Sequence, residues 1–188
     1  IAPIPVGFIF CALWPLTIMF GIHWGFIPIG MNQFALTGRE TLISLTGPLN
    51  FAQAGATLGV FLKTKDTGLK DISGQAFIAA FLAGVTEPAM YGVTLKYKKP
   101  LYACMIAGGI SGLYAGFVGL KCYVFATPAL ISLVQFIDPN GGSNFINALI
   151  VVAITVSVSF TLTWIFGFED PANEEEEEEV TEEVSIDR

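Results

Sequence analysis

The sequence predicts an all-α integral membrane fold, and three observations lead there. The chain of 188 residues is 53% apolar, with a mean hydropathy of +0.65. Only 13% of it is charged, against about 25% in a soluble domain. The net charge of −7 belongs to the tail: residues 169–188 hold eleven acids and one base, whereas residues 1–168 hold five acids and eight bases. The body is therefore mildly basic, and the acidic balance carries no information about substrate. Long uncharged runs broken by proline and glycine fill most of residues 1–168.

The first run, Ile1 to Gly38, has no Asp, Glu, Lys or Arg. It exceeds the roughly 20 residues of one membrane span, and breaks are expected at Trp14-Pro15 and Ile27-Pro28. A spanning helix followed by a broken or re-entrant piece is the expectation. Residues 41–62 form a second uncharged but more polar run with Asn50, Gln53 and small residues in "QAGAT", suited to close helix contact inside a bundle. The charged loop "KTKDTGLKD" (63–71) precedes a run over 72–95 whose one charged residue is Glu87, in "GVTEPAMYG". "KYKKP" (96–100) follows, then a glycine-rich run (101–120), an apolar run (122–137), the turn-rich "DPNGGSN" (138–144) and a final span (145–168). The acidic tail, 169–188, is expected to be a solvated, disordered linker, because consecutive glutamates repel and bury nothing. The chain starts at Ile1, without a basic n-region or cleavage site, which suggests a piece of a longer polypeptide rather than a secretory precursor.

The lysines bear on topology. Lys63, Lys65 and Lys70 precede the Glu87 segment and Lys96, Lys98 and Lys99 follow it. A single crossing by residues 72–95 would leave one cluster outside, against the positive-inside bias. A re-entrant hairpin turning at Gly84 and Pro88 keeps both inside, with its irregular backbone covered by protein or water.

No nucleotide, protease or hydrolase motif is present, no cofactor is expected, and no basic, aromatic-interleaved patch suggests nucleic acid. Cys11, Cys104 and Cys122 lie in apolar stretches without metal-ligand spacing, as small apolar filler does. Glu87 is costly within a membrane, about 2.5–3.5 kcal/mol at its centre, so function is the default reading and a loop brace the plain alternative. The sole histidine, His23, lies in "FGIHWGFIPIG" beside Trp24, at the other break. Two breaks, each with one ionisable group, suggest two half-helix tips meeting at one site. A carboxylate, an imidazole, an indole and nearby amides (Asn32, Gln33, Asn50, Gln53) suit a sugar: polar groups bind hydroxyls and an aromatic face covers the ring. A metal site would want more carboxylates or cysteines, and an anion site would want arginine.

"GIHWGFIPIG", "NFAQAGATLGVFLKTK" and "GVTEPAMYGVTLKYKKP", with the glycine-rich run after them, resemble enzyme IIC, the membrane subunit of the bacterial sugar phosphotransferase system. The branch is that of β-glucoside, sucrose and trehalose transporters, and the resemblance covers about residues 5–168. It implies a multi-pass protein of the bacterial inner membrane, with residues 1–168 as the C-terminal, substrate-binding half of a ten-helix IIC domain with two re-entrant hairpins. The N-terminal half would supply a homodimer interface. The sugar would be phosphorylated on its 6-hydroxyl by a phosphocysteine of enzyme IIB, and the tail would lead toward a IIA domain. By motif match Glu87 is the sugar-binding and catalytic glutamate and His23 its companion, with Trp24, Thr86, Asn50 and Gln53 as further substrate-binding candidates. None of the three cysteines has a IIB-like context, so the phosphoryl donor is not among them. The alternatives are an ion-coupled secondary sugar transporter with Glu87 as proton carrier, and a purely structural membrane module.

The hairpin topology has a direct check. Cysteines introduced at positions 70 and 96 should be labelled by an impermeant reagent from the same side of the membrane. Labelling from opposite faces would rule the hairpin out.

Overall fold

The computed structural model describes residues 3–172. Every regular element among them is helical, apart from one antiparallel backbone bridge between Glu40 and Cys122. The first helix, α1 (Pro3–Met19), runs straight through Pro15, so the break expected at Trp14-Pro15 is absent. Proline inside a helix forfeits one hydrogen bond, a loss that packed membrane helices tolerate. The chain turns instead at Gly21, whose φ of 71° is open to a residue without Cβ. A 3-10 turn, Ile22–Gly25, leads into α2 (Phe26–Thr37), and the helix axes on the two sides of the break differ by 113°. Pro28 lies in the first turn of α2, where its missing N–H would have had no intrahelical partner.

After the short α3 (Leu42–Thr46), α4 (Pro48–Lys63) forms the centre of the protein, with positions 49–57 buried without exception. Next, α5 (Thr67–Ile78) is capped by Asp66, whose Oδ1 accepts the Leu69 N–H at 2.6 Å. It continues as a π-helical stretch, Ala79–Ala83, and breaks at Gly84. The chain resumes as α6 (Glu87–Ala89), a second π-helical stretch (Met90–Thr94) and α7 (Leu95–Tyr97). The returning arm packs on the outgoing one, with Ile72 against Gly92 and Leu69, Ala76 and Ala80 clustered with Ala89 and Val93. Two long helices complete the fold, α8 (Lys99–Val118) and α9 (Asn144–Phe166). Both are long and apolar enough to cross a membrane, and α1 with α2 would add a third span if the bent pair counts as one.

Glycines let these helices meet backbone to backbone. A Cβ on Gly112 would run into the Gly7 carbonyl and the Cys11 side chain, and one on Gly108 into Leu49 and the Cys11 carbonyl, so α8 lies directly against α1. On the other side of α4, Gly55 faces the Val156 carbonyl and Gly59 faces Thr163 of α9. This is the small-residue packing that lipid favours, where apolar side chains gain little by leaving the bilayer. Polar side chains reinforce it: Ser159 Oγ (2.6 Å) and Cys104 Sγ (3.4 Å) both donate to the Ala52 carbonyl, joining α9 and α8 to α4. Cys11 Sγ donates to the Leu45 carbonyl at 3.0 Å. All three cysteines are buried.

The ends of the hairpin lie together. Tyr97 packs edge-on against Phe168 at 5.8 Å, and Asp170 accepts from Thr64 Oγ1 (3.0 Å) and the Lys65 N–H (2.9 Å). The lysine-bearing loops before α5 and after α7 therefore sit at one end of the molecule, beside the exit of α9. Lys63 Nζ donates to the Trp164 carbonyl there at 2.7 Å. Asp170, assigned to the acidic linker on sequence grounds, is buried and bonded, so the packed body extends to it. The rest of the expected linker, from residue 173 on, falls outside the described residues.

Candidate functional site

Three stretches of irregular backbone and the start of α4 enclose a cavity of about 510 Å³. The turn between α1 and α2 contributes His23 and Trp24, the hairpin tip contributes Gly84–Pro88, and a loop over 125–128 forms the third wall. Thr46 at the end of α3, Gly47 before the central helix and Asn50 within it line the cavity, with Trp14 and Ile18 of α1.

The hairpin tip is shaped by its backbone bonds. The Val85 N–H closes the π turn on the Ala79 carbonyl at 3.1 Å, and the Met90 N–H caps back to the Thr86 carbonyl at 2.8 Å. Gly84 adopts a φ of 73°, and a Cβ there would sit 2.6 Å from the Pro128 carbonyl, so only glycine lets tip and loop approach. Glu87 opens the returning arm, exposed at the cavity wall. Among the described residues its carboxylate has no hydrogen-bond or ion-pair partner and is open to a ligand. Thr86 beside it is buried.

His23 is half-buried, its ring centroid 6.4 Å from Trp14 and 5.4 Å from Trp24. Its Nδ1 is shielded from solvent and has no partner among the described residues. A buried polar atom so left costs about 1–3 kcal/mol, which a polar ligand at that atom would recover. Trp24 is 64% exposed, so its indole face is free to lie against an apolar surface. Deeper in, Trp14 packs in tilted contact with Phe10 and Phe26, ring centroids 5.3 and 5.6 Å away, which braces the turn.

Asn50 touches the cavity, but its amide nitrogen is engaged: Nδ2 donates to the Pro128 carbonyl at 2.8 Å and to the Gly84 carbonyl at 3.3 Å. Gln53, the other amide of α4 expected to bind substrate, does not line the cavity. One turn further along α4, it is 1% exposed and away from the cavity. Its Oε1 accepts from Thr94 Oγ1 at 2.9 Å and its Nε2 contacts Met90 Sδ at 3.8 Å, so it braces the second π-helical stretch. Gln33 is likewise spent on Thr41, at 2.8 Å through Nε2, and neither it nor Asn32 lines the cavity. His23, Trp24, Asn50, Thr86 and Glu87 are thus brought together, and Gln53 is not.

The loop over 125–128 was missed in the sequence, where residues 122–137 stand as a plain apolar run. It is held at both ends. Asn144 donates to the Lys121 and Phe136 carbonyls (2.8 and 2.6 Å), and the Tyr123 N–H donates to the Gln135 carbonyl at 2.8 Å. Tyr123 also donates its hydroxyl to Asp138 at 2.6 Å, which holds that carboxyl below the usual range. Pro128 inside an apolar run, like Pro88, was the available signal.

The family profile described as "Phosphotransferase system, EIIC" matches residues 1–109. The chain belongs to the phosphotransferase-system EIIC family. This EIIC chain is 40% identical over 162 residues to the β-glucoside-specific EIIBCA component of Dickeya chrysanthemi, covering 86% of the chain and 26% of that relative. It is 40% identical over 166 residues to the arbutin-, cellobiose- and salicin-specific EIIBC component of Escherichia coli (strain K12), covering 87% of the chain and 34% of the relative. To the sucrose-specific EIIBC component of Bacillus subtilis (strain 168) it is 35% identical over 171 residues, 91% of the chain and 36% of the relative. The EIIC chain thus spans about a quarter to a third of the length of these curated relatives. No solved structure gives a significant match.

Gln53→Leu separates bracing from binding. It should lower stability by about 1–3 kcal/mol, the cost of stranding Thr94, and leave sugar affinity per folded protein within a few-fold. Loss of affinity in fully stable protein would return Gln53 to the site.

Proposed function

We propose that this chain is the substrate-binding half of a phosphotransferase-system sugar permease, carrying a sugar across the bacterial inner membrane while it is phosphorylated on its 6-hydroxyl. The observation that carries this reading is that Glu87 and His23, from two separate backbone breaks, line one cavity in a chain of the EIIC family. The names of the relatives favour a β-glucoside or sucrose as cargo. The ion-coupled alternative gains nothing from the family.

In this mechanism Glu87 accepts a hydrogen bond from the 6-hydroxyl, and a bond to a charged group is worth about 1.5–3 kcal/mol. His23 holds the same or a neighbouring hydroxyl, while the exposed face of Trp24 covers the apolar side of the ring. The hydroxyl oxygen attacks phosphorus of a phosphocysteine on the IIB partner. The O–P bond forms as the S–P bond breaks, the thiolate leaves, and the hydroxyl proton passes to Glu87. Catalysis is then mostly positioning and charge stabilisation. The three cysteines of this chain are buried and structural, which suits a donor supplied by IIB.

The hairpin carrying Glu87 is re-entrant in this reading, entering and leaving on the cytoplasmic side, and the grouping of its lysine-bearing ends with the exit of α9 supports that. A second re-entrant element would come from the bent α1–α2 pair. The N-terminal half of IIC would complete the cavity and the homodimer, and residues after Asp170 would lead toward a IIA domain.

Glu87→Gln tests the assignment. With folded protein assayed beside its IIB partner, phosphorylation should fall by about 10²–10⁴, the range for a general base, while residual sugar binding survives. His23→Ala should weaken binding more than the chemical step. Phosphorylation by Glu87→Gln within a few-fold of wild type would remove the catalytic role.

A further inference from the structure

Asn50 was expected to bind sugar through its amide, but that group is turned toward protein. It is 9% exposed, and its Nδ2 donates both protons to backbone carbonyls of two different elements, Gly84 of the hairpin tip and Pro128 of the loop. Tip and loop also touch directly: the Leu130 N–H donates to the Phe81 carbonyl at 3.0 Å, and Gly84 has no room for a Cβ against Pro128. Both carbonyls come from interrupted backbone, where no helical N–H is in line to pair them. An amide is suited to this because it offers two donors from one nitrogen.

We propose that Asn50 is a positioning residue, a latch from the rigid central helix that fixes the hairpin tip, and with it Glu87, against the 125–128 loop. The inference rests on Glu87 binding the sugar. Two residues separate the latched Gly84 from Glu87, and the Met90 N–H to Thr86 carbonyl bond closes the turn that contains Glu87, so displacement of Gly84 is passed to the carboxylate. The latch joins two adjoining walls of the cavity, and so fixes the shape in which the sugar must fit. Asn50 acts on the reaction through Glu87 and the shape of the cavity, with its donors unavailable to sugar hydroxyls.

The test compares Asn50→Leu with Asn50→Gln in membranes holding the complete transporter and its IIB partner. Hydrogen–deuterium exchange is followed peptide by peptide without sugar, and phosphorylation kinetics are measured per folded protein. Asn50→Leu should raise exchange at least tenfold in the peptides over 84–90 and 126–131, while α8 and α9 keep their protection. Its kcat should fall about 10–10²-fold, as a misplacement near 1 Å does, with a smaller rise in KM. Asn50→Gln, which keeps both donors on a longer stem, should recover part of each effect. If Asn50→Leu does not assemble, Asn50→Ser, with one shorter donor, carries the same comparison. Unchanged exchange in both peptides, or a rise in KM at constant kcat, would overturn the latch and make Asn50 a direct ligand. Exchange raised uniformly across all helices would also overturn it, leaving a general stabilising role. Failure of the Glu87 assignment is separable, because the exchange comparison without sugar does not depend on it.

Discussion

A backbone interrupted inside a membrane must find partners for its N–H and C=O groups within the protein, and this fold interrupts its backbone around a single cavity three times. The turn at Gly21, the tip at Gly84 and the loop at 125–128 would each be unaffordable facing lipid. Grouped, the tip and the loop satisfy each other. The Leu130 N–H pairs with the Phe81 carbonyl, Asn50 pairs with Gly84 and Pro128, and the π-helical turn before the tip closes on Val85 N–H. The same grouping delivers the site, since a helix interrupted at depth is where a carboxylate or imidazole can face a cavity instead of hydrocarbon.

The rest of the structure holds that arrangement still. The close glycine contacts of α8 with α1, and of α4 with α9, form a body in which the central helix is buried from 49 to 57. Asn50 projects from this body, so its grip on the tip refers Glu87 to the buried central helix. Gln53, one turn away, holds the returning arm through Thr94. Two amides on one face of α4 thus brace two ends of the same hairpin, one at its tip and one along its stem.

Much of this was legible in the sequence. A lone carboxylate before a proline, between two lysine clusters, marked the backbone break at Gly84, and an uncharged stretch around the single histidine marked the other break. Resemblance to enzyme IIC named the family that the profile and the relatives then showed. What was not legible were the places where packing overrides local preference. Pro15 does not interrupt α1, because one lost hydrogen bond is tolerable in a packed helix, whereas Gly21 does, because its left-handed backbone was free to turn. Gln53 and Asn50 look alike in sequence, and only the positions of Thr94, Gly84 and Pro128 decide what each amide holds. The loop at 125–128 gave no periodic signal at all, since its conformation depends on Asn144, Gln135 and Phe81 from other parts of the chain.

The central claim is that the sugar occupies the cavity between the His23 turn, the Glu87 tip and the 125–128 loop. Photolabelling with a diazirine-bearing β-glucoside, followed by mass spectrometric mapping, tests it most directly. The account predicts adducts in the peptides containing residues 23–27, 84–88 and 125–128, all suppressed by excess unlabelled sugar. Competable labelling confined to other segments, such as the groove beside Val6, Thr41 and Lys121, would contradict it.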